Sequence, residues 1–199
     1  TLAAIEAARA PFKNHRWTAE PLLAKVPHPD PAQDLTNPAD PTDNPGSVAP
    51  ASVQDIEMAL SHAAPWGAEP HERGAVLSRA ADLYEENYGE FFALLTREAG
   101  KTLPDCVAEL REAVDFLRYY GANAPVAAPA GLFTCISPWN FPLAIFSGQI
   151  GAALAAGNAV LAKPAEPTSL TAHIATKLLL QAGVPQSALQ LLPGQGRII

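Results

Sequence analysis

Two hydrophobic periods share this chain, and the switch between them divides it. Across the middle, apolar positions recur every three or four residues. Val53, Ile56, Leu60 and Ala63 predict a helix over about 52–64, opened by a capping box between Ser52 and Asp55 and stopped by Pro65. Leu77, Ala80, Ala81 and Tyr84 predict a second over about 70–87. Phe91, Phe92, Leu94 and Leu95 predict a third over about 89–99, with Gly100 placed to take the left-handed conformation that ends a helix. The longest, about 104–121, turns Cys106, Val107, Leu110, Ala113, Val114, Leu117 and Tyr120 inward. It leaves Glu109, Arg111, Glu112, Asp115 and Arg118 in water, with Arg111 and Asp115 spaced to pair.

From residue 131 the period changes. LFTCI (132–136), AVLAK (159–163) and LQLL (189–192) are short apolar runs fit for buried strands. Between them lie a small-residue helix over about 142–156 and a helix that Thr168 or Ser169 can cap, bearing Leu170, Ile174, Leu178 and Leu179 and ending at Gly183. This alternation predicts an α/β fold with a parallel βαβαβ sheet, preceded by a helical segment. Ligands of such sheets sit beyond the carboxyl ends of the strands.

Composition changes the picture at the amino end. Nine of the 20 prolines fall in the first 50 residues, and each fixes φ and removes a donor. Residues 2–10 read as the end of a helix, 11–35 as a surface linker or tether, and 36–50 as turn-rich pieces suited to a small hairpin. The remainder, 36–199, reads as one truncated domain, and the start at Thr1 without Met suggests a piece of something longer. A net charge of −7, with 13 Lys and Arg against 20 Asp and Glu, argues against nucleic acid and against a polybasic membrane patch. There is no apolar stretch of ~18 residues and no cleavable leader, which points to a cytoplasmic protein with no membrane span. Cys106 and Cys135 have no metal-ligand spacing and read as buried thiols, so no metal site is expected.

The candidate chemistry lies just past the predicted strand ends: Ser137, Pro138, Trp139 and Asn140 after the first, Lys163, Ala165 and Glu166 after the second, and Gly194, Gln195 and Gly196 after the third. An Asn amide can donate to a developing oxyanion. A Lys and a Glu on one loop can hold vicinal hydroxyls, and a Gly-x-Gly turn lets a ligand approach the backbone. Plainer readings stand beside these. Asn140 can simply cap the following helix, Lys163 and Glu166 can be solvated loop charges, Trp139 can be core or pocket wall, and a lone GxG is common. His15, His28, His62, His71 and His173 are scattered and suggest no site.

The segments CISPWNFPLAIF (135–146), ALAAGNAVLAKPAEPT (153–168) and AGVPQSALQLLPGQG (182–196) resemble, in order and spacing, the cofactor-binding half of the aldehyde dehydrogenase superfamily. NPADP (37–41), LLTREAGKT (94–102) and AELREAVDFLRYYG (108–121) resemble more narrowly the Δ1-pyrroline-5-carboxylate dehydrogenase module of bifunctional proline utilisation A flavoenzymes. The resemblance implies that Asn140 is the oxyanion-hole asparagine and that Lys163 and Glu166 bind the adenosine ribose of NAD. It further implies that Ile136, Ser137, Pro138 and Trp139 line the dinucleotide, with Gly194 and Gly196 near the adenine. A carboxylate at Glu166 would repel a 2′-phosphate and so favour NAD over NADP.

In that family the nucleophilic Cys and general-base Glu lie beyond the end of this chain, and neither Cys106 nor Cys135 occupies the nucleophile's place. The implied parent oxidises glutamate-γ-semialdehyde to glutamate, and any FAD belongs to a proline dehydrogenase domain outside this chain. Expected partners are a small aldehyde substrate and either further copies or the rest of the same polypeptide. Two alternatives remain open: a non-catalytic nucleotide-binding or oligomerisation module, and a dehydrogenase for another semialdehyde.

Overall fold

In the computed structural model, which describes residues 1–197, β4 (Leu132–Ile136), β5 (Ala159–Lys163) and β6 (Leu189–Leu191) form a parallel sheet in that order. The connections are α6 (Ala144–Ala155) and α7 (Ser169–Ala182), giving the expected βαβαβ unit. Ile136 pairs with Lys163 and Ala162 with Leu191, so the three carboxyl ends emerge along one edge. Central β5 is buried throughout, whereas β4 exposes four of its five residues and departs from the expected buried strand. The cause is position: β4 is an edge strand, and among the described residues no element covers Leu132 and Ile136.

The helices α3 (Pro70–Glu86), α4 (Tyr88–Glu98) and α5 (Leu103–Ala122) follow the predicted spacing and pack over α6 and α7. Tyr84, Phe91, Leu95, Leu117, Phe146, Ile150, Leu154 and Leu179 are sealed in their common core. Gly100, at φ +65°, closes α4 as expected. The helix α2 (Val53–His62) has the predicted Ser52–Asp55 capping box but not the predicted face: Val53 and Leu60 are exposed, and Asp55 and Ala59 are buried. Tertiary bonds turn it. The Asp55 carboxylate also accepts from His28 N at 2.7 Å, and Ala59 O accepts from Gln190 Nε2 at 2.8 Å. On α5, Glu109 is buried rather than wet. Among the described residues Arg111 does not pair with Asp115; Arg118 instead reaches across to Asp82 and Glu85 of α3.

The amino end also differs from an extended linker. After α1 (Leu2–Arg9), β1 (Trp17–Ala19) runs parallel to β3 (Gly46–Val48), and β2 (Gln33–Leu35) runs antiparallel on its other side. The antiparallel pair therefore spans 33–48 rather than 36–50, its first strand lying wholly before residue 36, and β1 comes from within 11–35. Prolines space these strands without forbidding them, and side chains anchor them. Trp17 is buried and donates through Nε1 to Glu90 at 2.9 Å. The Arg97 guanidinium grips both Asp43 oxygens, at 2.8 and 2.7 Å, and lies over the Trp17 ring. Leu22 exchanges backbone hydrogen bonds with Leu191, tying this region to the edge of β6.

Candidate active site and cofactor bed

The loop leaving β4 begins with Ser137, whose N–H donates to Lys163 O at 3.1 Å and so continues the ladder one residue past the strand. Ser137 is buried, Pro138 half-buried, and Ile136, Trp139 and Asn140 are exposed. Asn140 does not cap α6. The first free N–H groups there, on Leu143 and Ala144, donate to Glu109 Oε2 at 3.3 and 2.8 Å. Among the described residues the Asn140 side chain has no hydrogen-bond partner, and a free amide facing solvent is what a donor to an incoming oxygen requires.

On β5, Lys163 is only 7% exposed, and its one side-chain hydrogen bond among the described residues runs from Nζ to Pro164 O at 3.0 Å. Burial pushes its ammonium below the ordinary lysine range, with the nearby Glu166 charge opposing. An ammonium carries three donors, so two of those on Lys163 have no partner among the described residues. Gly196 stands directly beside it: a Cβ on that glycine would lie 3.8 Å from Lys163 Cε. Glu166 is exposed, and together with Gly194, Gln195 and Arg197 it borders a cleft of about 510 Å³ whose far wall is β2 and β3. Three groupings result. Lys163 and Gly196 meet, Glu166 and Gly194 share the cleft, and Asn140 and Trp139 lie outside that cleft on the β4 side.

Both thiols are buried, which pushes Cys106 up to about 12 and Cys135 up to about 11. Neither yields a thiolate near neutral pH. Sequence reasoning missed the charged residues that hold the crossover helices. Glu98 accepts from Leu170 N, Thr171 N and Thr171 Oγ1 at 2.7, 2.9 and 2.6 Å, so the α7 start relies on it rather than on a side chain of Thr168 or Ser169. At the other ends, Arg73 donates to Ala155 O at 2.9 Å and Arg79 to Ala182 O at 2.8 Å. The signal was present for the acids: Glu109 stands three residues after Cys106 and four before Ala113, on the apolar face of its own helix.

The model of the aldehyde dehydrogenase family matches residues 27–199. The chain belongs to that family. Among its relatives, the bifunctional protein PutA of Klebsiella aerogenes is 49% identical over 196 residues, covering 93% of this chain and 15% of that protein. The 1-pyrroline-5-carboxylate dehydrogenase of Anoxybacillus flavithermus is 37% identical over 183 residues, covering 80% of this chain and 36% of that enzyme. A crystal structure of 1-pyrroline-5-carboxylate dehydrogenase from Thermus with bound NAD matches with a TM-score of 0.89 at 28% identity, over 98% of this chain and 43% of that one. The chain therefore spans less than half the length of each of these family members. Among the described residues no helix is long and apolar enough to cross a membrane.

Proposed function

We propose that this chain is the portion of an NAD-dependent aldehyde dehydrogenase that oxidises glutamate-γ-semialdehyde, the open form of Δ1-pyrroline-5-carboxylate, to glutamate in the cytoplasm. The observation that supports the reading is the set of loop ends along one sheet edge, which carry a buried ammonium with one side-chain hydrogen bond and an exposed amide with none among the described residues. Similarity to enzymes of that activity supplies the substrate class.

In this reading the Lys163 ammonium donates to ribose hydroxyls and the Glu166 carboxylate accepts from them. Ile136, Pro138 and Trp139 give an apolar wall, Ser137 fixes the loop, and Gly194 with Gly196 lets the nucleotide approach the backbone. Asn140 donates its amide to the aldehyde oxygen as negative charge develops there. Bound NAD⁺ supplies the hydride acceptor. The nucleophile is neither Cys106 nor Cys135, since both thiols are buried and held protonated, so turnover requires groups that other segments contribute.

Calorimetric titration tests the cofactor reading. A like-charge encounter at Glu166 costs on the order of several kcal/mol, so NAD⁺ binds at least about tenfold more tightly than NADP⁺, a gap of roughly 1.4 kcal/mol. Glu166→Gln narrows it and Lys163→Met weakens both. Equal affinities for the two nucleotides would contradict the assignment. The 199-residue chain given NAD⁺ and the semialdehyde forms no NADH by absorbance; steady production would show that the chain carries its own nucleophile.

A further inference from the structure

Lys101 and Glu109 belong to sequence motifs that the cofactor bed leaves unused, and both converge on the residues that follow Asn140. Glu109 reaches from α5 and is 1% exposed, and a single carboxylate oxygen takes the N–H groups of Leu143 and Ala144. Its other oxygen lies 2.8 Å from Lys101 Nζ, as an ion pair rather than a directed hydrogen bond. The same ammonium sits 4.5 Å from the centroid of the Phe141 ring. Lys101 is itself fixed by the left-handed Gly100 and by its own N–H, which donates to Leu95 O at 3.2 Å.

The first N–H groups of a helix need acceptors, and a short polar side chain just ahead of the helix usually provides one, reaching the N–H two or three residues on. Asn140 stands three residues before Leu143 and is of the right type. Here a carboxylate from another helix fills that place, and the Asn140 amide is left exposed and unpaired among the described residues.

We infer that Glu109, steadied by Lys101, is a positioning residue: it caps α6 from outside and thereby keeps Asn140 from folding back onto its own helix. This rests on the reading of Asn140 as the donor to the aldehyde oxygen. Lys101 adds a second hold, since its charge neutralises the buried carboxylate and fixes the Phe141 ring next to Asn140.

Amide hydrogen exchange and side-chain NMR of the ¹⁵N-labelled chain test the inference directly. In the wild type the Leu143 and Ala144 N–H groups are protected, and the Asn140 NH₂ exchanges at solvent rates. In Glu109→Ala, protection of Ala144 falls about ten- to a hundredfold, and the Asn140 resonances shift as its oxygen accepts from Leu143 N. Glu109→Gln retains an acceptor and leaves the Asn140 resonances in place. Unmoved Asn140 resonances in folded Glu109→Ala would overturn the inference. So would a wild-type Asn140 oxygen already bonded to Leu143 N, a result that does not depend on any variant folding. In the complete dehydrogenase carrying this chain, Asn140→Ala lowers kcat about 100-fold with KM for NAD⁺ unchanged. Glu109→Ala lowers kcat in the same way and Glu109→Gln restores it; loss in both Glu109 variants alike would reduce Glu109 to a structural role. An unchanged kcat in Asn140→Ala would remove the oxyanion reading, while the exchange data still decide what Glu109 does to Asn140.

Discussion

Two buried ionisable residues, one on α4 and one on α7, make stability depend on pH in opposite senses. Burial raises the Glu98 carboxyl from 4.5 to about 7 against three hydrogen bonds that pull it down. The native state then holds a proton that the unfolded chain releases, so the Glu98 contribution falls as pH rises through that window. His173 is the reverse. Burial, with help from Lys177, lowers its ring from 6.5 to about 4, so the unfolded chain takes up a proton that the native state refuses. Stability is lost as pH falls through that range, by up to about 3 kcal/mol at roughly 1.4 kcal/mol per unit. His173→Gln therefore loses less stability than the wild type between neutral and mildly acid pH, measured as urea midpoints at each pH; identical pH profiles would refute the assignment. Glu98→Ala leaves the three donors at the start of α7 without an acceptor and costs about 2–4 kcal/mol at neutral pH in the same measurement.

Each crossover helix is held at both ends by charges from the layer packed on it. Glu109 and Arg73 hold α6, while Glu98 and Arg79 hold α7. Acids sit at the amino ends and arginines at the carboxyl ends, the arrangement that the helix dipoles favour. Removing one arginine strands a carbonyl and a favourable end charge, so Arg79→Ala lowers stability by about 1–3 kcal/mol, read from denaturant midpoints, while an exposed control such as Arg111→Ala changes little. The Arg97 guanidinium is one of the anchors of the amino-terminal sheet. Arg97→Ala frees Asp43, which that guanidinium holds down to about 2, and uncovers Trp17. Amide protection in β1 then drops before that in β5, and the Trp17 emission shifts to the red; uniform loss across both strands would show that β1 is not separately anchored.

At the scale of the molecule, β4 leaves one backbone edge unpaired and an apolar side uncovered at Leu132 and Ile136. Such an edge recruits another strand, so the chain by itself associates with rising concentration, and Ile136→Lys suppresses that in light scattering. A monomer at every concentration in the wild type would contradict it. The alternation of strands and helices from residue 131, the helix boundaries between 70 and 122, the Ser52 capping box and the turn at Gly100 were legible in the sequence, because each rests on spacing or on the conformational preference of one residue. The site loops were legible as positions beyond strand ends and through the family motifs. Whether Asn140 would cap a helix or stay free was not, since that turned on Glu109, 31 positions earlier. The exposed face of β4, the rotation of α2, the strand at 17–19 and the partners of the buried acids were likewise settled by what packs where. Local pattern fixes which faces can be buried, because it follows backbone period. Only tertiary contact decides which face is covered and which charge finds its partner, because desolvation and hydrogen bonding depend on neighbours that sequence distance does not reveal.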